Sequence, residues 1–396
     1  MKIIRVVIVL SIVYLIFIEI LRVYFIMPFP GSQQQESISI AYFLQNNILV
    51  LRIIGWILLL GSVAKAFTKL EIRWKAALGA GIILYGVVFY MFNFRFLADK
   101  MFHQPTHVVF SNSIVNKVDQ SSLVVGILVN GEAKAYPIEI IGYHHQVRDS
   151  VGGVPVMVTY CTVCRTGRIF SPMVNGKLEN FRLVGMDHFN AMFEDTSTKS
   201  WWRQANGEAI IGPLMGSVLQ EFPTQQMSLR SWLNLYPSSK IMQPDSLYLE
   251  KYKKLEGFDR GTIESHLEYR DSLSWKDKSW VIGVTVKNQS RAYDWNELLE
   301  KRVLNDILGG VSLLIYVQPD SASFHVWNRD SLTFSYDQTS DAIKDDQTNS
   351  IWNAKGECVE GDLINSRLER IQAYQEFWHS WRTFHKETTQ YSGENK

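Results

Sequence analysis

The residues best suited to chemistry in this 396-residue chain are Cys161 and Cys164, with Thr162 and Val163 between them. Two cysteines three positions apart can ligate one metal ion, close a small redox-active disulfide, or form a plain structural staple. Upstream, His144 follows Ile140 and Ile141 by four and three positions. It therefore projects from the same buried helical face, towards the strand that carries the cysteines. His145 and His188, the latter beside Asp187, compete for a fourth ligand place. Two thiolates and an imidazole suit zinc or copper, Cu(I) above all where thiolates dominate. In the redox reading Cys161 and Cys164 themselves are the catalytic pair. In the staple reading the protein is a non-catalytic module that binds an extracytoplasmic ligand or protein. Asp195, Trp202 and Gln204 are the candidate walls of a ligand cleft, although a core tryptophan beside a polar turn accounts for the same run more simply. Cys358 reads as a buried small residue.

Other chemistries are set aside quickly. No phosphate-cradling glycine loop, dinucleotide fingerprint, nucleophile elbow or H-E-x-x-H helix occurs in the sequence. Apolar residues make up 46% and charged residues 20%, and the net charge is +1. That balance gives no basic or acidic excess of the kind that marks a nucleic-acid or polyanion partner.

The elements that must position the cysteines recur along the chain. Leu123–Tyr136 (LVVGILVNGEAKAY) and Trp280–Tyr293 (WVIGVTVKNQSRAY) each read as strand, polar turn and second strand. A helix follows each: Pro137 suits the start of the first, and Asp294 with Glu297 has capping-box spacing in the second. Both lead to an Asp and a Gly-Gly pair, then to an apolar run, VPVMVTY from Val154 and VSLLIYV from Val311, that reads as a buried strand. Asp195–Leu214 resembles Asp345–Leu363, and Ser231-Trp232 resembles Ser380-Trp381. The expected fold is α+β, a mixed strand-rich domain of two duplicated α+β halves at residues 97–245 and 246–396. Features shared by both halves, such as Trp202 with Trp352 and Gly212 with Gly361, are read as structural. Features of one half, the cysteine pair first, are read as chemical.

Residues 1–96 read as a membrane anchor. Apolar stretches from about Ile3 to Met27, Asn47 to Phe67 and Trp74 to Phe94 match the roughly 20 helical residues that cross a bilayer. Glu19 and Arg22 can pair near the outer end of the first. Transport through the helices is set aside because no paired buried charges are evident in them. Lys65, Lys69, Arg73 and Lys75 fill the second loop, whereas Pro28–Asn46 has no Lys or Arg. The positive-inside rule then places the N-terminus in the cytoplasm and the large C-terminal domain outside, on a multi-pass protein of the cytoplasmic membrane facing the periplasm.

Residues from about Leu123 to Pro237 resemble the family of domain of unknown function 3179 (DUF3179). The resemblance rests on Ala135-Tyr136-Pro137, His144, Asp149, Val158-Thr-Tyr-Cys-Thr-Val-Cys164 with Thr166-Gly167, and the series Asp195, Thr198, Ser200, Trp202 and Gln204. The second half resembles it as a degenerate copy. Thr162 stands where the family has proline, and His145 where it has glutamate. The resemblance implies that Cys161, Cys164 and His144 form a unit; it brings no activity with it.

Overall fold

In the computed structural model, which describes residues 1–339 and 341–393, the chain forms two compact units. One comprises Met1–His103, Asn180–Arg203 and Glu208–Ser217; the other comprises Gln104–Glu179, Gln204–Gly207 and Val218–Lys396. The helical unit thus takes in a sheet that the sequence reading placed with the first half.

Three helices begin the helical unit: α1 (Lys2–Tyr24), α2 (Ile38–Ala66) and α3 (Ile72–Tyr90). Each is long and apolar enough to cross a membrane. The second starts nine residues earlier than its apolar run suggests, because hydropathy marks the slab and not the helix that extends beyond it. Between the helices lies a charge cluster that corrects the expectation of unpaired helices. Glu19, fully buried, accepts two bonds from the Arg52 guanidinium at 2.6 and 2.8 Å. Asn93 donates to Glu19 at 2.9 Å and accepts from Arg22 and Arg52 at 2.7 Å each. Arg22, the partner expected from spacing, lies 3.7 Å from the Glu19 carboxylate. Arg52 escaped notice because it lies 33 positions from Glu19, and helical spacing reveals only neighbours on one helix.

The sheet of the helical unit runs Ala209–Ile211, Trp201–Arg203, Asn190–Asp195, Phe181–Asp187. It joins the α1–α2 connection: Met186 N donates to Ile26 O at 2.7 Å, and Phe189 N donates to the Gln33 carboxamide at 3.2 Å. Tyr42 packs edge-on against Trp201 with ring centroids 5.1 Å apart.

The second unit is built from hairpins. Leu123–Val129 pairs with Glu132–Pro137 across Asn130-Gly131, both at positive φ as a type I′ turn requires. Trp280–Val286 pairs with Gln289–Asp294 across Lys287-Asn288, again both at positive φ. Thr224–Ser228 forms the edge beside the first hairpin and Ala373–Phe377 the edge beside the second. Each edge strand runs into a seven-residue helix, Leu229–Leu235 or Trp378–Phe384. Trp232 and Trp381 on these helices lie over Gly126 and Gly283, where a Cβ would come within 2.3 and 2.1 Å of the indole ring. The edge strands meet through Gln226, which donates to Gln375 at 3.0 Å.

Two smaller sheets carry the loops that matter below. Gln146–Val151, Val154–Cys161 and Thr166–Phe170 form one; Val303–Leu308, Val311–Val317, Phe324–Asn328 and Glu369–Arg370 form the other. Asp149 accepts from Lys134 and Tyr136, as Asp306 accepts from Arg291 and Tyr293, so both aspartates tie adjacent hairpins together.

Candidate functional site

Cys161 ends a strand buried along most of its length, and its register partner Thr166 opens the next strand. Between them the chain turns through Thr162, Val163, Cys164 and Arg165. Arg165 N bonds Thr162 O at 3.2 Å and takes φ 57°, which closes the turn. Both cysteines are fully buried, and no disulfide joins them.

The turn is held by residues from the C-terminal part of the chain. Phe377 N donates to Cys164 O at 3.0 Å. Lys278 Nζ donates to Val163 O at 2.7 Å and to Leu267 O at 2.5 Å. His379 Nε2 lies 3.1 Å from the same Val163 carbonyl and 3.4 Å from Lys278 Nζ. The buried Arg165 guanidinium lies 3.7 Å from the Trp280 ring centroid and donates to Gln375 at 3.0 Å.

Burial pushes the Cys164 thiol well above its ordinary pKa, and its hydrogen bond and proximity to Cys161 push it further. The nearby Lys278 ammonium opposes that rise. Desolvation lowers the Lys278 pKa, while both cysteines favour its charged form. Burial, aided by Lys278, brings His379 down to about 3, so its imidazole is neutral through the physiological range. Ser380 in turn donates to Glu376 at 2.9 Å, and Glu376 accepts from Arg168 at 2.7 Å. Burial raises the Glu376 carboxyl despite that arginine.

The residues singled out from the sequence are distributed differently. His144 and His145 do end a helix, Ile138–His144. His144 Nε2 lies 2.7 Å from the Tyr252 hydroxyl, and its ring meets Tyr143 and Tyr248 edge-on. His145 closes the helix at φ 59°, and burial lowers its pKa to about 4. His188 is in the helical unit, 2.7 Å from Asp187, whose hydrogen bond raises the imidazole pKa. Among the described residues no three His, Cys, Asp or Glu side chains are gathered as a metal would require.

Asp195 and Trp202 meet inside the sheet of the helical unit. The carboxylate accepts from Trp202 Nε1 at 2.9 Å, from the Thr198 hydroxyl at 2.7 Å and from Ser200 N at 3.1 Å. Asp345 repeats this with Trp352, Thr348 and Ser350 at 3.1, 2.9 and 3.1 Å. Gln204 is buried in the other unit, donating to Thr159 and to Thr166 O. A cleft of about 570 Å³ lies elsewhere, lined by Leu128, Tyr236, Trp327, Lys355 and Arg370 among others.

Lys278, Glu376, His379 and Ser380 were not foreseen. The signal was present: aligning Ser231-Trp232 with Ser380-Trp381 sets Arg230 against His379 and Met227 against Glu376. Lys278 and His379 lie 115 and 216 positions from Val163, far outside the segment that carries the cysteines.

Three membrane-length helices and a mixed α+β region with a buried cysteine pair define a membrane-associated protein of α+β class. Residues 104–388 match the model of the protein family of unknown function DUF3179, and the chain belongs to that family. No curated protein and no solved structure matches it.

Proposed function

We propose that this is a membrane-anchored thiol-redox protein in which Cys161 and Cys164 cycle between dithiol and disulfide. The observation that carries the reading is a fully buried, unbridged cysteine pair in one turn, with the Lys278 ammonium anchored at 2.7 Å on the Val163 carbonyl between them. A fixed cation favours thiolate, the reactive form, and disfavours a metal cation at the same place. Full burial makes the couple a protected one: exchange proceeds only as fast as the turn opens locally.

In the same reading the strand-rich region is a duplication. The paired edge strands, the two Asp–Trp turns and the two Asp–Tyr hairpin ties support it. The domain faces the periplasm from the cytoplasmic membrane. The bonds of the 180–217 sheet to the α1–α2 connection support that topology, since the basic residues Lys65, Lys69 and Lys75 belong to the opposite connection.

The test is thiol titration and metal analysis of the full chain in nanodiscs, after dithiothreitol and after oxidised dithiothreitol. Interconversion of two thiols, lost in Cys161→Ser/Cys164→Ser, is the expected result. Near-stoichiometric copper lost in that variant would replace redox with metal binding. A disulfide inert to dithiothreitol in the folded protein would leave a binding module with a staple.

A further inference from the structure

Oxidation of the pair requires Cys164 to lose a proton in a place closed to water. Cys164 is fully buried, and the fully buried Ser380 sits against the same turn: Phe377 N, three positions before it, donates to Cys164 O at 3.0 Å, and Thr166 Oγ1 lies 3.4 Å from Cys164 O. Ser380 Oγ donates to Glu376 Oε2 at 2.9 Å, and Thr166 Oγ1 lies 3.4 Å from Ser380 Oγ. Glu376 is 1% exposed, and its other oxygen accepts from Arg168. Two charged groups have been buried beside a thiol, at a cost that packing alone does not require. In the second half the matching turn has no such chain: Ser231 donates to Gln318 and Asp320, and Met227 stands where Glu376 does.

We propose that Ser380 and Glu376 are positioning residues that carry the Cys164 proton away during disulfide formation. This rests on the thiol-redox reading. The step balances with a substrate disulfide as the oxidant. The Cys161 thiolate attacks one sulfur of that disulfide, forming a mixed disulfide and releasing one substrate thiolate. Cys164 passes its proton through the Ser380 hydroxyl to the Glu376 carboxylate. Its sulfur then attacks Cys161, closing the internal disulfide and releasing the second thiolate. Two electrons pass to the substrate, and the proton held on Glu376 is available to a departing thiolate. Arg168, which bonds the other oxygen of Glu376 and also faces Glu221 at 3.8 Å, favours release of that proton against the burial that retains it, and so resets the chain.

The test uses the full chain in nanodiscs with oxidised glutathione, quenching with acid and resolving species by mass. In Glu376→Gln the mixed disulfide at Cys161 should accumulate, and its resolution should slow by about a hundredfold, the range of general-base effects. Ser380→Ala should do the same, and Ser380→Thr should restore most of the rate. Formation of the mixed disulfide should stay unchanged, and the pH dependence of the resolution step should flatten in Glu376→Gln. If resolution in Ser380→Ala and Glu376→Gln matches the unmodified protein, the proton path is wrong while the redox pair stands. If no mixed disulfide forms in the unmodified protein, the redox reading itself fails and the path falls with it.

Discussion

The turn after Val154–Cys161 and the turn after Val311–Val317 are built alike and furnished differently. Each is closed by a residue in the left-handed region, Arg165 at φ 57° and Ser321 at φ 56°. Each is met by an edge strand and helix start distant in sequence: Phe377 N reaches Cys164 O, and Ser228 N reaches Ser323 Oγ. In the second turn the Asp320 carboxylate is saturated by the hydroxyls of Ser228, Ser231 and Ser323 at 2.8, 3.0 and 2.6 Å. Burial would raise that carboxyl, but those bonds outweigh it and hold it below the usual range. In the first turn two thiols, weak donors and acceptors, take the same place beside a lysine, a neutral histidine and a buried glutamate. A saturated carboxylate fastens a joint. A thiol pair makes no such saturated bonds, and the proposed redox chemistry rests on that difference between the two turns.

The comparison fails if the shared frame is not equally needed in both halves. Gly126→Ala and Gly283→Ala each drive a methyl group into a tryptophan ring that forms a packed helix contact. Each should cost about 3 kcal/mol or more, by overpacking with little room to yield. Tryptophan-fluorescence melts of the two variants should shift by similar amounts, and unequal shifts would break the equivalence.

The next effect concerns the Asp–Trp turns. Asp195→Ala and Asp345→Ala each strand a buried indole N–H, a hydroxyl and backbone donors. A loss of about 2–3 kcal/mol is expected for each, from unsatisfied buried donors. Near-ultraviolet circular dichroism should show the tryptophan signal change in both. A loss of ligand binding with unchanged stability in Asp195→Ala would instead return Asp195 to the cleft role that its sequence context suggests.

Asp320→Ala sharpens the contrast between the turns through pH. A carboxyl held below its unfolded value stabilises the fold fully above about pH 4, the ordinary aspartate range. That stabilisation is lost as the pH falls through the depressed value. The variant should therefore be about 1–2 kcal/mol less stable at pH 7, and the gap should close below pH 4. Thermal melts at pH 7, 5 and 3 check this; a gap independent of pH would mean that packing, not charge, sets the cost.

The sequence carried the hairpins, the Gly-Gly turns, the membrane helices and the cysteine turn, since each is written in local period or turn chemistry. It did not carry the reach of Arg52 to Glu19 or of Lys278 and His379 to Val163, separations of 33, 115 and 216 positions. Local pattern says which face a side chain occupies and is silent on what that face meets. His144 shows the limit from the other side: its helical position agrees with its full burial, but local spacing could not show that its Nε2 meets the hydroxyl of Tyr252, 108 positions away.

The smallest expected effect discriminates best between two accounts of the cysteine turn. If His379 acted as a cation that stabilises thiolate, His379→Gln would lower thiol reactivity, and the loss would follow imidazole titration between pH 5 and 8. Burial and Lys278 instead keep the ring neutral, with Nε2 3.1 Å from Val163 O. Glutamine supplies a comparable N–H and no charge, so the variant should lose no more than about 0.5 kcal/mol of stability, within the net value of one neutral hydrogen bond. Alkylation rates of Cys161 and Cys164 should keep the same pH profile in the variant. Lys278→Met, which removes the charge and two carbonyl contacts, should slow alkylation and move the profile to higher pH. A shift in His379→Gln as large as that in Lys278→Met would transfer the electrostatic role to the histidine and require a protonated ring in the buried turn.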